Sequence, residues 1–296
     1  MNVKGMQEII EVVEQVKSDL DAAGGLKHIY FVACGGSLAS SFPARYLLQQ
    51  ESTSMHVSGM NSSEFVHATP KAVGPSSLVI CTSTKATAET VDALKKANAA
   101  GAVTIGLTGY SDSLTAQTAK YSLVYFHADE WCQDPSLVHC NSQGTALKLA
   151  FRLLFAMEGY AGYEKAMDAF CKFPDIYAAA YQAVKPEAAR FAMQYRNDTI
   201  FNVLASGAAW EVAYSDAFCF FQEMQTVHCV PCHSGEYFHG AFETTDNQLA
   251  VLLFKSIGKT RPIDERAERF LERFGGHHYI FDAKEMGLSA LDPDVA

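Results

Sequence analysis

Basic side chains are in short supply in this chain of 296 residues: 23 Lys+Arg against 33 Asp+Glu leave a formal net charge of −10. That balance argues against nucleic acid or an anionic membrane surface as the main partner. Long apolar runs are missing too. The longest, such as residues 249–254, fall far short of the roughly 20 residues a membrane helix needs. Met1-Asn2-Val3-Lys4 leads straight into a helix-like pattern without the apolar stretch of a signal peptide, so the expectation is a soluble, cytoplasmic protein. Charged residues make up only 19% of the chain and hydrophobic ones 49%, too apolar for disorder and enough to fill cores. At roughly 150 residues per domain, the length suits two domains.

Eight cysteines do not make a disulfide framework in a chain of this size. Cys34, Cys81, Cys140, Cys171 and Cys219 lie scattered in apolar segments and read as buried small hydrophobes. The run His228-Cys229-Val230-Pro231-Cys232-His233 matches both a C-x-x-C redox or zinc half-site and the C-x-x-C-H of covalent haem attachment. A zinc site would want a second ligand pair, and no other C-x-x-C exists here. Haem attachment goes with export, which the amino terminus does not support. The run therefore reads as a strand edge rich in Cys and His, with no metal and no cofactor.

Apolar β-branched runs alternate with amphipathic stretches, the pattern of an α/β fold with parallel sheets. Helical spacing over 6–20 precedes a strand at 28–34. A helix at 38–49, a short strand at 55–57 and a helical piece at 62–68 follow. Strands at 78–81, 103–108 and 121–126, with a helix at 88–100 whose inner face carries Val91, Leu94 and Ala97, complete a doubly wound layer of four or five strands. Residues 142–196 are almost wholly helix-forming. The alternation then restarts: strand 200–205, helix 209–224, strand 248–254, helix 262–274, strand 279–281. This spacing predicts an amino-terminal helix over 1–24, an α/β domain over 25–141, a helical connector over 142–196 and a second α/β domain over 197–296.

Two turns carry the strongest local chemistry. Gly35-Gly36-Ser37 and Thr82-Ser83-Thr84-Lys85-Ala86-Thr87 each sit where an apolar strand hands over to a helix. Unpartnered backbone N–H groups and the positive end of the helix dipole face outward there. Small residues let an anion approach and hydroxyls add donors. Ser37, Thr82, Ser83, Thr84 and Thr87, without a P-loop lysine pattern, suit a single phosphoryl group; helix capping alone would also account for either turn taken singly. A dinucleotide site is weaker, because residues 34–39 are not G-x-G-x-x-G and no acid closes the second strand. Further on, Glu223 lies near the end of an otherwise apolar helix. It is either a surface residue at the helix end or a desolvated acid with a raised pKa. His239 lies between Gly235 and Gly240 in a loop that reads as exposed. A carboxylate base and a histidine acid can together shift a proton between adjacent carbons.

The turns ACGGS (33–37) and TSTKATAET (82–90), with NSSEF (61–65) between them, resemble the sugar isomerase (SIS) domain family, and the second half looks like that family's second SIS domain. SGEYFHGAFE (234–243) is similar to the S-G-E-F-x-H-G-P-x-E segment of its fructosamine-6-phosphate deglycases, more than to the A-G-E-L-K-H-G-P form of glucosamine-6-phosphate synthase. The sixteen-residue step from Glu223 to His239 equals the separation of the catalytic pair in both groups. The resemblance implies two flavodoxin-like SIS domains, with Ser37, Thr82, Ser83, Thr84 and Thr87 holding phosphate, Glu223 as base and His239 as acid. Gly35, Gly36, His228 and Glu236 would line the substrate. It also implies a homodimer, or a higher homo-oligomer, with the active site at the interface. Three departures stand out: Lys85 replaces the usual turn glycine, Ala241 replaces the Pro of H-G-P, and the chain stops at residues 292–296 without the carboxyl-terminal tail of relatives.

The lead expectation is deglycation of a phosphorylated sugar amine, a fructosamine 6-phosphate, without a cofactor. Plain aldose–ketose or amino-sugar isomerisation uses the same proton shuttle. A sugar-phosphate sensor is the non-catalytic alternative, but it would need only the phosphate turns, not a Glu/His pair. Synthase activity would need an amino-terminal glutaminase domain, for which Met1-Asn2 leaves no room.

Overall fold

The computed structural model describes residues 3–292. The last four residues of the chain end discussed above lie outside the described residues. The chain divides into two compact units, Met1–Pro174 and Asp175–Ala296.

In the first unit the elements run α1 Met6–Ala22, β1 His28–Ala33, α2 Gly35–Ser40, α3 Phe42–Glu51, β2 His56–Asn61, α4 Ser62–His67, β3 Ser77–Thr82, α5 Ala88–Ala99, β4 Val103–Thr108, α6 Leu114–Thr118, β5 Tyr121–Val124, α7 Ala128–Trp131 and α8 Ser142–Glu158. The five strands form one parallel sheet in the order β2-β1-β3-β4-β5, the flavodoxin-like winding. β1, β3 and β4 are continuous apolar runs because helices cover both of their faces. On one face Tyr30, Val32, Val79 and Cys81 pack with Phe65 of α4 and Ala93, Leu94 and Ala97 of α5. Each large side chain so buried contributes about 1.5–3 kcal/mol, more than any surface contact in the unit can offer. On the other side α8 lies against α1 and α3, burying Leu149, Ala150, Leu153 and Leu154. Lys148 is buried on that helix as well, at 1% exposure, and donates to the Lys4 carbonyl at 2.8 Å. Burial pushes the Lys148 pKa down. Burial, then the neighbouring Lys148 charge, takes His139 down to about 4.

α9 Tyr163–Tyr195 carries the boundary between the units, at Pro174 and Asp175. The second unit continues with β6 Ile200–Ala205, α10 Trp210–Ser215, a π-helix Asp216–Met224, β7 His228–His233, β8 Ala250–Lys255, α11 Arg261–Phe274 and β9 His278–Asp282. Its four strands are again all parallel, in the order β7-β6-β8-β9. One core joins Phe201, Val203 and Leu252 to Tyr195 and Ala217, and the other joins Leu204 and Leu253 to Tyr237, Ala267 and Leu271. At the end of this sheet Arg261 grips Asp282 with two nitrogens, at 2.8 and 2.5 Å, and Lys255 reaches Glu268 at 2.6 Å and Asp282 at 3.2 Å.

Several local expectations need correction. The single helix expected over 38–49 is two, α2 and α3, broken at Ser41. The helix over 209–224 changes pitch at Asp216. β2 is longer than expected because it is an edge strand with an exposed, mixed face rather than an apolar run. Of the cysteines taken as buried, Cys81 and Cys140 are, Cys34 and Cys219 are half-buried, and Cys171 sits on an exposed face of α9. Among the described residues no helix is long and apolar enough to cross a membrane.

Candidate active site

The strand order of the first unit sends the connections from β1 and β3 in opposite directions, which opens a crevice at the carboxyl ends of those strands. Register places Val32 opposite Cys81, so β1 and β3 end side by side and both hydroxyl-rich turns emerge at one edge. Cys34 is extended and α2 begins at once, so Gly35, Gly36 and Ser37 form its first turn rather than a loop. Gly35 has φ +51° and open space around it, which keeps the backbone approachable, while Gly36 is exposed and Ser37 half-buried. In the second turn Thr82 and Ser83 are each only 2% exposed. The Ser83 hydroxyl is spent inside the turn: it accepts from the Thr87 N–H at 2.9 Å and donates to the Thr87 hydroxyl at 3.1 Å. Thr84, Lys85 and Thr87 face solvent. Thr84 is held on three sides, its carbonyl accepting from Gly109 N–H at 3.0 Å and Thr108 Oγ1 at 3.1 Å, its hydroxyl from Tyr125 at 2.9 Å. Asn61 of the NSSEF segment caps α4 through Ser63 N–H, and Ser62 shares a 2.9 Å hydroxyl contact with Thr90 of α5. That segment therefore braces the crevice.

The second unit has the matching edge after β6 and β8, and it is closed. Ser206 Oγ donates to the Thr260 carbonyl at 3.3 Å. Gly207, at φ +56°, lies so near Thr260 that a Cβ there would collide with Thr260 Oγ1. An anion has no such opening as the first unit leaves beside Gly35.

The proton-transfer candidates of the second unit are exposed. Glu223 lies in the last turn of the π-helix, whose wide pitch is marked by Gln225 N–H bonding the Phe220 carbonyl. Of the two readings open for Glu223, the surface one is what this unit presents. Gln222, its neighbour, donates to the Cys229 carbonyl at 2.7 Å and pins this end to β7. His228, the first residue of β7, is exposed. Glu236 and His239 belong to the short turn of 3₁₀-helix Glu236–His239 and are both exposed. Between them Tyr237 is completely buried, bonded to Thr245 through its hydroxyl, and Phe238 packs under Arg266 and against Phe270. Buried Tyr237 and half-buried Phe238 hold the loop and leave the polar pair outside. Gly240 then takes φ +142°, where a side chain would be strained.

Two groups with unusual surroundings escaped sequence reasoning. Asp216, seven residues before Glu223, has its carboxyl pushed up to about 6 by burial. It borders a largely apolar groove of about 1120 Å³ whose walls include Phe191, Tyr195, Phe220 and Phe254. Tyr125 touches the second hydroxyl-rich turn, at Thr84, from 41 residues away. Neither position has a spacing signal; both depend on chain crossings.

The run 228–233 is β7, an edge strand that tolerates Pro231. Cys229 is buried, which pushes its thiol up to about 12, and burial raises Cys232 too. Both thiols are therefore poor nucleophiles. Among the described residues no group of three or more His, Cys, Asp or Glu is placed to hold a metal ion.

Comparison with known proteins bears on the family and the fold. A family model described as SIS domain matches residues 26–153. The chain is 32% identical to fructosamine deglycase FrlB of Bacillus subtilis (strain 168) over 292 residues, 98% of this chain and 88% of that protein. Fructoselysine 6-phosphate deglycase of Escherichia coli (strain K12) is 24% identical over 276 residues, 93% of this chain and 77% of the relative. A crystal structure from Salmonella typhimurium LT2, described as a phosphosugar isomerase, superposes with a TM-score of 0.93 at 35% identity, covering 99% of this chain and 86% of the other.

Proposed function

The chain belongs to the SIS domain family, and from that membership we propose that it is a deglycase: it hydrolyses a fructosamine 6-phosphate to glucose 6-phosphate and a free amine or amino acid. The observation that carries this is the near full-length identity to a named deglycase. Exposed Glu223 and His239 at the family spacing, and an open hydroxyl crevice in the first unit, agree with it.

In this reading the phosphate lies against the N–H groups of Gly35 and Gly36. Ser37, Thr84 and Thr87 offer it hydroxyls, while Ser83 holds the turn and Thr82 ends the strand beneath it. Lys85 adds the only cation within the two turns. Phosphate binding orients the open-chain sugar, so that the reacting carbons are presented without further entropic cost. The Glu223 carboxylate takes a proton from C1 as the protonated His239 gives one to the C2 carbonyl oxygen, forming an enaminol. Reprotonation at C2 yields a C1 imine. Water adds at C1, the C–N bond breaks, and the nitrogen leaves as the amine with the proton water supplies. His228 and Glu236 border this chemistry. We further propose a cytoplasmic homodimer with the site at the subunit interface, Glu223 and His239 coming from different chains.

The test is incubation with several fructosamine 6-phosphates, with glucose 6-phosphate followed through a coupled dehydrogenase. Release from at least one adduct is expected. Silence from every adduct, alongside interconversion of fructose 6-phosphate, would replace the deglycase with an isomerase.

A further inference from the structure

We propose that Tyr125 is a positioning residue of the phosphate cradle: by donating its phenol proton to Thr84 Oγ1, it turns the Thr84 hydroxyl into a fixed donor aimed at the bound phosphoryl group. The inference rests on the phosphate-binding reading of the turns, not on the identity of the amine.

A threonine hydroxyl has one proton and two acceptor sites, and free in solvent it offers either face. A phosphoryl oxygen only accepts, so half of that freedom is unproductive. Tyr125 follows directly on β5 and is 5% exposed, with its hydroxyl 2.9 Å from Thr84 Oγ1. A buried phenol proton left without an acceptor is costly, so it goes to Thr84. Burial raises the phenol pKa, which keeps that proton in place across the working pH range. Thr84 Oγ1 is thereby an acceptor on its inner side, and its own proton remains for the exposed side. Accepting one hydrogen bond also polarises the hydroxyl into a better donor.

The rest of Thr84 cannot swing to compensate. Its carbonyl is held by Gly109 N–H and Thr108 Oγ1 at the end of β4, at 3.0 and 3.1 Å. Gly109 is fixed in turn by His127, whose Nε2 lies 3.1 Å from the Gly109 carbonyl and whose ring packs against that of Tyr125 at 6.0 Å. On the far side Ser83 ties down Thr87. Tyr125 therefore acts through Thr84, and only the direction of one O–H bond depends on it.

The test is calorimetric binding of inorganic phosphate and of glucose 6-phosphate to wild type, Tyr125→Phe, Thr84→Ala and the double variant. Tyr125→Phe should weaken both ligands roughly 3- to 10-fold, the worth of one hydrogen bond. Where turnover is measurable it should raise KM by the same factor and leave kcat unchanged. In the Thr84→Ala background the same change should matter less than about twofold, because the mediator is gone. Thr84→Ser, which keeps the hydroxyl, should restore the sensitivity to Tyr125→Phe. Unchanged affinity in Tyr125→Phe, or an effect of equal size with and without the Thr84 hydroxyl, would overturn the proposal while leaving the deglycase reading untouched. Wild type that binds neither ligand would overturn the cradle and Tyr125's role with it. Phosphate binding without deglycation would sink only the reaction.

Discussion

Glu223 and His239 reach the surface by different local means. Glu223 is carried outward at the end of a π-helix, and His239 is left outside because Tyr237 takes the buried position of the same turn and Phe238 a half-buried one. Each is thus exposed, and in the proposed reaction each is a single proton carrier, with Glu236 the one other exposed titratable side chain in the turn of His239. Glu223→Gln and His239→Asn should each lower kcat by roughly 100-fold or more, the usual share of one general acid or base, while binding of glucose 6-phosphate stays within about twofold of wild type. Near-normal turnover in either variant would remove the proposed shuttle. At this scale the sequence was readable wherever a residue's role follows from its near neighbours. Glycines flank His239, and apolar Phe220 and Phe221 precede Glu223. Tyr125 and Asp216 were not readable. What matters about Tyr125 is a hydroxyl 41 positions away, and what matters about Asp216 is the apolar surface folded over it.

Between residues and domains, the clamp at the end of β9 is the element most exposed to titration. Asp282 accepts two hydrogen bonds from Arg261 and lies 3.2 Å from Lys255, and the Arg261 guanidinium above all holds its carboxyl well below the ordinary range. A carboxyl whose folded pKa is depressed stabilises the fold above its unfolded value, near 3.9, and that stability drains away as pH falls toward the folded value. Asp282→Asn should therefore cost about 1–3 kcal/mol at pH 7, since it leaves two cations short of a partner in a half-buried site. Urea unfolding should show the gap to wild type constant between about pH 5 and 8 and narrowing only below about pH 4. A gap that widens in acid would contradict the assignment. Among the elements, β1, β3, β4 and β6 were plain in the sequence because strands covered on both faces are mostly apolar rather than alternating. Edge strands β2 and β7 lack that constraint: β2 was read short, while the Cys/His-rich run of β7 was read as a strand edge, as it is. The π-helix left no trace at all, because its wider pitch fits neither of the two periodicities by which helices and strands are read.

For the whole molecule, the two units share a winding but not an opening: the crevice beside Gly35 is open and the one beside Gly207 is closed by Thr260. If the proposed phosphate cradle and the proposed Glu/His pair each occur once per chain, a symmetric dimer would hold two sites. Two-fold symmetry is compatible with each pair coming from one chain or from two, and mixed dimers separate these cases. If Glu223 and His239 serve different sites, a dimer of one Glu223→Gln chain and one His239→Asn chain gathers both defects in one site and leaves the other intact. Random re-association of the two inactive variants at equal amounts would make half the dimers mixed, each with one good site of two, and so restore about a quarter of wild-type turnover. If both residues serve the same site, every site keeps one defect and nothing is restored. Denaturing the variants together, refolding them and assaying deglycation distinguishes the two. Recovery well above that of either variant refolded alone is the expected result, and its absence, in a preparation shown to be dimeric and re-assorted, would place the pair within a single chain.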